Sequence, residues 1–418
     1  MTGEHQPEVA VVVHPRRRFD GFISSAQKLG CRVVVIPRED ESSDWDLAEQ
    51  RTNVVIAHWS GPIGGTEFVE FLSDVIGRFR ASGIFGMHEA SLPAVSLAAA
   101  MHQLPGLSVR VISRLRDKGA MRSALVRSGL PSPRYCSGPV GEALLAEAKS
   151  LDLPVVVKPS NGFSSTGVEL VVDHDELAHA IVRSAAAMTD LGPSTEVVVE
   201  EFIAGPEFAV EAMTFAGASR ILSIGYKGQP QGPFFEESIY QIPSGLDLKR
   251  ENDIRRVVLE AHRALDIDSG PTHTELRLDA DGTPHILEIG ARIGGSGVSA
   301  ALVSAATGID FFAEVLAAAT GRRPSVFDHE TTSVVQAAGN YIVPCRGSGV
   351  IQEIRGLDMV SQRSAVLDIV QMMWPGEVIL PYPAFSGYPA FVLSAHADLG
   401  ELRDFHHQLD ADISVVYA

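Results

Sequence analysis

Two glutamates on facing strands form the clearest chemical feature of the sequence. Glu275 and Glu288 lie in two short alternating runs separated by the polar segment 279–284, which predicts an antiparallel hairpin. If Leu278 pairs with His285, Glu275 falls directly opposite Glu288. Like charges opposite each other destabilise a sheet unless a cation lies between them. Because carboxylate oxygens suit Mg²⁺, the hairpin predicts a metal site. The alternative is a surface hairpin whose carboxylates face water.

An arginine follows the second of these strands. Arg292 lies four residues beyond Glu288, so a continued extended strand would bring its guanidinium to the same face as the carboxylates. Two carboxylates, an implied metal and an arginine are typical of a site for phosphate-bearing ligands. The same alternation places four apolar residues on the other face of the hairpin: Leu276, Leu278, Leu287 and Ile289.

The composition limits the class of protein. The chain of 418 residues is 45% hydrophobic and 21% charged, which is typical of a globular protein with roughly two to four domains. A formal net charge of −18 argues against binding to nucleic-acid backbones or anionic membranes, since both attract lysine and arginine. The sequence shows no secretory signal, no apolar stretch near the ~18 residues of a membrane span, and three widely spaced cysteines. We therefore expect a cytoplasmic protein that binds neither nucleic acid nor membrane.

The first part of the chain has the pattern of an open α/β domain. Continuous apolar runs at 9–13 and 32–36 are typical of buried parallel strands, and further strands are expected at 53–57 and 83–87. Segments of helical length separate them. This alternation predicts a doubly wound parallel sheet over the first ~110 residues.

Two lysines lie where phosphates could bind. Lys158 ends an apolar strand and runs into a loop rich in Gly, Ser and Thr, Ser160 to Gly167, whose backbone N–H groups could surround phosphates. The alternative is an ordinary hairpin loop; the loop is not a Walker loop, because the lysine precedes the glycines. Lys118 belongs to a basic helix, 113–129, between two expected domains. Such a helix is usually a solvated face, but its position favours one lysine facing a cleft.

A third strand offers contacts for a purine and a ribose. The apolar run from Glu196 ends in Glu200 and Glu201, and the Glu201 carboxylate and the Ile203 amide could bind a purine edge. Glu207 could accept hydrogen bonds from ribose hydroxyls. Taken singly, these glutamates are surface residues in most proteins, so their order relative to Lys158 carries the argument.

Taken together, the motifs and their order along the chain resemble the ATP-grasp superfamily. Within it they resemble the carboxylate–amine ligases of the L-amino acid (dipeptide) ligase type. The resemblance covers the chain from about Glu89 to about Gly349, and the first domain matches in architecture. The motifs are Arg116-Asp117-Lys118, Lys158-Pro159 with its loop, the run from Glu200 to Glu207, His273-Thr274-Glu275, and the run from Glu288 to Gly295.

The resemblance implies an α/β (α+β) architecture. This is an ATP-grasp fold with an N-terminal open parallel α/β (preATP-grasp) domain and a small C-terminal subdomain. The implied boundaries are 1–112, 113–325 and 326–418, with a lid subdomain at about 135–200 and a large subdomain at about 201–325 inside the second domain. A homodimer suits the family.

The resemblance also implies a role for each motif. Lys118 and Lys158 would hold the ATP phosphates, and Glu275 and Glu288 would bind one or two Mg²⁺, for which Mn²⁺ could substitute. Arg292, with Lys158 and Glu288, would be catalytic. The remaining cofactor contacts would come from Ser164, Ser165, Thr166, Gly167, Glu200, Glu201, Ile203 and Glu207. The substrate contacts would come from Glu237, Tyr240, Arg292, Gly294 and Gly295.

The implied reaction joins a carboxylate to an amine. The carboxylate of one small molecule attacks the γ-phosphate of ATP to give an acyl phosphate, and the amine of a second then displaces phosphate. Both substrates would be amino acids. The alternatives are a carboxylating or formylating ligase of the purine-pathway type, and a nucleotide-binding protein without catalysis.

Three positions depart from the family pattern. Gly290 stands where an asparagine usually helps to bind metal or phosphate, so that water would fill that coordination position or a second metal would bind weakly. Phe163 and Ser164 stand in a loop that is often richer in glycine. Glu237 matches the glutamate of the substrate segment, but Tyr240 replaces a histidine, which leaves the identity of one substrate open.

Overall fold

The computed structural model describes most of the chain. The described residues are 8–15, 19–38, 53–163, 165–187, 196–229, 232, 235, 237–328, 333–381 and 388–418.

The first four strands form the predicted parallel sheet, in the order β3-β2-β1-β4. They are β1 (Val9–Val13), β2 (Arg32–Ile36), β3 (Val54–Ile56) and β4 (Gly83–Gly86). Among the described residues, three helices cover the sheet: α1 (Phe19–Lys28), α2 (Thr66–Phe79) and α3 (Leu92–Met101). The apolar residues run without polar alternation because both faces are buried: alternate side chains of β1 and β2 enter two separate hydrophobic cores.

Two short helices lead into a second, antiparallel sheet. The helices are α4 (Val109–Arg116) and α5 (Lys118–Arg127). The sheet has the order β5-β8-β6-β7, with β5 (Tyr135–Pro139), β6 (Val155–Pro159), β7 (Glu169–Val171) and β8 (Glu196–Glu201). Its apolar face packs against α6 (Glu142–Ala148) and α7 (Leu177–Ala186). Its other face carries the Lys158 and Glu200 side chains.

The largest sheet has eight antiparallel strands in the order β13-β12-β9-β10-β11-β14-β18-β16. Its first five strands along the chain are β9 (Glu207–Phe215), β10 (Ala218–Gly228), β11 (Ile239–Ile242), β12 (Gly270–Leu278) and β13 (Pro284–Gly290). Its last three are β14 (Ala337–Ile342), β16 (Val366–Gln371) and β18 (Ala390–His396). The C-terminal strands thus extend the central sheet, since β14 pairs directly with β11.

Helices cover both faces of the large sheet. One face packs against α9 (Val298–Thr307) and α10 (Phe311–Ala319), and the same hydrophobic core includes residues of α1 from the first domain. The other face packs against α8 (Leu248–Ala264) beside β9 and β10, and against α12 (Leu399–Asp412) beside β14 and β18. The short helix α11 (Leu357–Ser361) lies beside β16.

The C-terminal region adds a three-stranded antiparallel sheet. Its strands are β15 (Gly349–Arg355), β17 (Val378–Ile379) and β19 (Ser414–Tyr417), with β15 in the centre. In the part of the chain that the structure describes, no single helix is long and apolar enough to cross a membrane. Only α9 and α10 together reach that length and composition, and they are bent by 114° at their junction.

Candidate active site

The two glutamates of the hairpin lie opposite each other, as predicted. Glu275 of β12 pairs with Glu288 of β13. The register that led to this prediction was wrong, because Leu278 pairs with Pro284 and not with His285. A register shift between the two pairs brings the glutamates together.

The shift is a β-bulge at Leu287. Leu276 pairs with Ile286, so Leu287 is the extra residue on its strand. The core position predicted for Leu287 is therefore occupied by Ile286, which is 1% exposed. Ile289 returns to the predicted core face beyond the bulge. The bulge lets one strand keep its apolar face in the core while Glu288 still faces Glu275.

A buried lysine binds the first of these glutamates. The Lys227 ammonium lies 2.6 Å from Glu275, 2.7 Å from Glu237 and 3.0 Å from Glu207. These three carboxylates place one oxygen each within 4.8 Å of one another, which is close enough for a shared metal ion. Burial alone would lower the pKa of Lys227, but the three carboxylates outweigh it and hold that pKa well above its usual range. We call these four residues the Lys227 cluster.

The same cluster controls the charge of Glu275. Burial would raise the pKa of this carboxyl, yet Lys227 and His273 together hold it well below its usual range. Glu275 is therefore ionised at neutral pH. Lys227 was not among the predicted site residues, although its position near the end of an apolar strand resembles that of Lys158.

Lys118 binds the second glutamate of the hairpin. Its ammonium lies 3.0 Å from Glu288 and also donates a hydrogen bond to the Gly162 carbonyl. Asp117 caps the start of α5, and the Lys118 amide donates to the Ser160 carbonyl at 2.9 Å. The helix start thus fixes Lys118 between the predicted phosphate loop and the predicted metal strand.

Lys158 is positioned from behind by Glu200. The buried Glu200 carboxylate accepts hydrogen bonds from Lys158 and from Arg122, the latter at 2.8 Å. Arg122 is 1% exposed and also donates to the Ile286 carbonyl. Burial lowers the pKa of Lys158, and the ion pair with Glu200 offsets only part of this effect. In this structure the Glu200 carboxylate holds Lys158 and Arg122, and its direct contact with the cofactor stays a prediction.

The Glu201 carboxylate points away from these lysines. Strand alternation places it on the opposite face from Glu200, where it accepts from the Asp152 amide at 3.0 Å and lies 3.0 Å from Arg134. The Glu201 side chain is thus bound to Asp152 and Arg134 in this structure, and its contact with a purine stays a prediction. The backbone of the segment after Glu201 remains the part that can meet a ligand.

An arginine that the sequence analysis did not single out organises this segment. Arg277 lies 3.0 Å from the Glu207 carboxylate and donates to the Ile203 carbonyl at 3.2 Å. Its guanidinium lies 4.9 Å from the centre of the Phe202 ring and 5.1 Å from that of Phe235. The Glu207 carboxylate is thus bound by both Arg277 and Lys227. The available signal was the strand period, which places Arg277 on the same face as Glu275.

Arg292 reaches the carboxylates by a turn, because β13 ends at Gly290 and does not continue as predicted. Its guanidinium lies 2.8 Å from Glu89, which follows β4 of the first domain. Burial would lower the pKa of Arg292, but Glu89 and Glu288 outweigh it and raise that pKa. A Cβ at Gly290 would lie 3.7 Å from the Glu89 carboxylate and 3.8 Å from the Arg292 guanidinium. An asparagine side chain at position 290 would therefore lie next to the Arg292–Glu89 ion pair. This contact was not predicted from the sequence.

A histidine that is paired with two glutamates lies beside the predicted substrate glycines. His273 lies 2.5 Å from Glu211 and 3.4 Å from Glu275. Although burial opposes it, these carboxylates raise the pKa of His273 to about 9. A Cβ at Gly294 would lie 2.3 Å from the His273 ring, so only glycine fits there. Gly295 follows as an exposed residue with φ +48°.

Tyr240 lies deeper than predicted. Its side chain is 8% exposed and belongs to the hydrophobic core beneath Glu211. A Cβ at Gly225 would lie 2.2 Å from the Tyr240 ring, so this glycine makes room for the aromatic ring. Burial raises the pKa of the Tyr240 hydroxyl well above its usual range. A direct contact between Tyr240 and a substrate stays a prediction.

The predicted phosphate loop folds back over the start of α5. The Thr166 amide donates to the Phe163 carbonyl, Ser165 has φ +54°, and Gly167 has φ +73°. A Cβ at Gly167 would lie 2.7 Å from that of Ala187, which leaves room for glycine alone. The prediction for Ser164 lies outside the described residues.

Comparisons with known proteins agree with this geometry. Residues 151–300 match the ATP-grasp domain family. The chain is 36% identical to the L-amino acid ligase of Bacillus licheniformis, whose crystal structure it matches over 99% of both chains with a TM-score of 0.86. The chain belongs to the ATP-grasp carboxylate–amine ligase family.

Two curated relatives match this ATP-grasp chain over a smaller part of their length. The D-alanine–D-alanine ligase of Aromatoleum aromaticum is 35% identical over 219 residues, which are 51% of this chain and 68% of the relative. An uncharacterised protein from Sinorhizobium fredii is 27% identical over 302 residues, or 72% of this chain. The chain spans 61% of the length of that protein.

Proposed function

We propose that this ATP-grasp protein is an ATP-dependent ligase that joins the carboxylate of one amino acid to the amine of another. The reaction proceeds through an acyl phosphate and releases ADP and phosphate. The similarity to an L-amino acid ligase along 99% of both chains supports the proposed reaction and substrate class.

One observation carries the proposal: cations surround a facing pair of carboxylates from three directions. Lys118 contacts Glu288, Lys227 contacts Glu275, and the Arg292 guanidinium lies near enough to both glutamates for them to raise its pKa. ATP with bound metal ions carries the complementary charges: its phosphates match the lysines and the arginine, and the metal ions match the two carboxylates. Such an arrangement stabilises phosphoryl transfer mainly by positioning and charge neutralisation.

The donor set fits magnesium. Glu275 is ionised and faces Glu288, and hard oxygen donors of this kind are those that Mg²⁺ prefers. We propose that these two residues hold one or two Mg²⁺ with ATP, and that Mn²⁺, which accepts similar ligands, substitutes. The bound metal would neutralise the charge of the β- and γ-phosphates.

Each remaining residue has a proposed task. Lys118 and Lys158 bind ATP phosphates, and the loop from Ser160 to Gly167 closes over them. The Ile203 backbone binds the adenine and Glu207 the ribose. Because Glu207 and Glu237 are bound to Lys227 here, ribose or substrate ammonium must share these carboxylates with that lysine.

Arg292 is the proposed catalytic arginine. Its guanidinium stabilises negative charge on the transferred phosphoryl group and on the acyl phosphate. Gly294 keeps the chain close to His273, which leaves its backbone beside the place where the acyl group would lie. Glu237, which is partly exposed, remains the proposed partner of a substrate ammonium.

The organisation of the chain is also part of the proposal. We propose domains at 1–112, 113–325 and 326–418, a cytoplasmic location and a homodimer. Because β14 pairs with β11, the sheet continues across the proposed boundary between residues 325 and 326.

The test is release of ADP with Mg²⁺ and ATP across the twenty amino acids, singly and in pairs. We expect release that requires two amino acids, with a product mass equal to their sum less one water. Release that depends on bicarbonate or formate, with no condensed product, would overturn the proposal in favour of a carboxylating or formylating ligase. ATP binding without release for every pair would overturn it in favour of a nucleotide-binding protein.

A further inference from the structure

A cavity of about 370 Å³ lies on the face of the large sheet that turns away from the Lys227 cluster. It is bounded by β11 and β14 on one side and by α12 on the other. Neighbouring side chains of a strand point to opposite faces. Tyr240 enters the core beneath the active site, so Gln241 enters this cavity. We call it the α12 cavity.

Two buried polar groups face the α12 cavity without a partner. The Gln241 side chain is fully buried, and in the described part of the chain neither its amide nitrogen nor its amide oxygen has a hydrogen bond. The Nε2 atom of His406, which is 6% exposed, also has no partner among the described residues. Burial lowers the pKa of His406 to about 4, so its ring is neutral at pH 7. Buried polar groups are almost always paired, so both groups are ready to bind a polar ligand or water.

Charges of both signs surround the opening. Arg403 is exposed and has no ion-pair partner within the described ranges. Arg346 also lines the cavity and lies 2.8 Å from Asp410. Glu237 also lines the cavity, and it belongs to the Lys227 cluster. A guanidinium and a carboxylate that line the same cavity suit a molecule that carries both a carboxylate and an ammonium group.

We propose that the α12 cavity is a second binding site, for a zwitterionic amino acid or short peptide with a polar side chain. Arg403 binds the carboxylate, Glu237 binds the ammonium, and Gln241 and His406 bind the side chain. The choice of amino acids and peptides as the ligand class rests on the proposed function, but binding in the cavity does not require catalysis.

Glu237 belongs to both sites, because it is also the proposed partner of the substrate ammonium in the active site, so the two ligands compete for its carboxylate. Its carboxylate lines the cavity and lies 2.7 Å from Lys227. A ligand ammonium at Glu237 competes with Lys227 for the carboxylate. Occupation of the cavity therefore changes the charge balance around Glu275, and MgATP must in turn change the affinity of the cavity for its ligand.

The test is isothermal titration calorimetry of the full chain with the twenty amino acids and with dipeptides, in the absence of ATP. The ligand-binding background is the Arg292→Ala variant, which removes a proposed active-site contact. We expect Arg403→Ala and Gln241→Met each to raise the Kd of the cavity ligand at least about tenfold, the loss typical of one charged or buried hydrogen bond. Arg256→Ala, which removes an arginine that is 54% exposed on α8, is the matched control and should leave Kd unchanged.

The outcomes separate the two proposals. Tighter binding of dipeptides than of free amino acids would identify the product as the ligand, and the reverse would identify a substrate. Binding that is unchanged by both cavity substitutions, or no binding with folded protein, would overturn the second site and leave water as its occupant. ADP release without cavity binding contradicts this inference alone, whereas cavity binding without ADP release for any pair contradicts the proposed ligase alone.

Discussion

Replacement of Lys227 by methionine should destabilise the protein strongly. Methionine keeps much of the apolar stem but removes the ammonium that three carboxylates share at 2.6, 2.7 and 3.0 Å. The Lys227 side chain is only 9% exposed, so bulk water cannot solvate the three carboxylates in place of the ammonium. Removing one partner of a buried ion pair costs about 3–5 kcal/mol, because the remaining charge is left uncompensated. We expect a loss of this size in the free energy of unfolding of Lys227→Met.

Magnesium should partly reverse this loss. In the variant, Glu207, Glu237 and Glu275 keep oxygens within 4.8 Å of one another, and a divalent cation can take the place of the ammonium. A metal present at about 100 times its Kd stabilises the folded state by about 2.7 kcal/mol. The wild type should gain less at these three residues, since Lys227 already neutralises them.

The assay is urea unfolding at about pH 7.5, with and without MgCl₂. Lys249→Met is the matched control: Lys249 is 87% exposed and pairs with Asp253 along a helix, so its loss should cost at most about 0.5 kcal/mol. A loss below about 1 kcal/mol for Lys227→Met would refute the reasoning, since it would equal that of an ordinary surface pair. So would a full loss on which magnesium has no effect.

Three further predictions concern single positions. Glu288→Gln should lower ADP release at least ~100-fold while circular dichroism shows an intact fold, since it removes a proposed metal ligand; near-normal release would exclude the hairpin from the mechanism. Gly294→Ala should impair activity and lower the melting temperature, because its Cβ meets His273 at 2.3 Å, whereas Gly290→Ala, with its nearest neighbour at 3.7 Å, should fold normally; equal melting temperatures would contradict this. The His273 contribution to stability should be complete below pH ~6.5, its ordinary pKa, and disappear as the pH rises through about 9. Unfolding free energies of the wild type and His273→Gln should therefore converge between these values, and a constant difference would show that His273 is not protonated.

Local sequence patterns, each confined to a short segment, predicted most of the fold. Valine runs on both sides of each crossover indicated a parallel sheet buried on both faces, and the structure has that sheet. The facing pair Glu275 and Glu288 was predicted from alternation with a register one residue out, and the bulge compensates for that error. The bulge at Leu287 escaped notice, because alternation alone does not show where one strand gains a residue.

Contacts between distant segments were harder to predict. Lys227 meets Glu275 and Glu207 only because β9 lies between β10 and β12, an order that the sequence does not display. Glu89 reaches Arg292 from another domain. The protein partners of three predicted ligand contacts were not visible in the sequence either. Glu200 binds Lys158, Glu201 accepts from the Asp152 amide, and Tyr240 packs in the core. Their contacts with ligands stay predictions.

Attack of a substrate carboxylate on the γ-phosphate of ATP can be followed with the acid substrate labelled with ¹⁸O in its carboxylate. The label is traced by mass spectrometry of the released phosphate. We expect one ¹⁸O atom in each phosphate, transferred through the acyl phosphate, and unlabelled ADP. Unlabelled phosphate, or label in AMP, would contradict this mechanism.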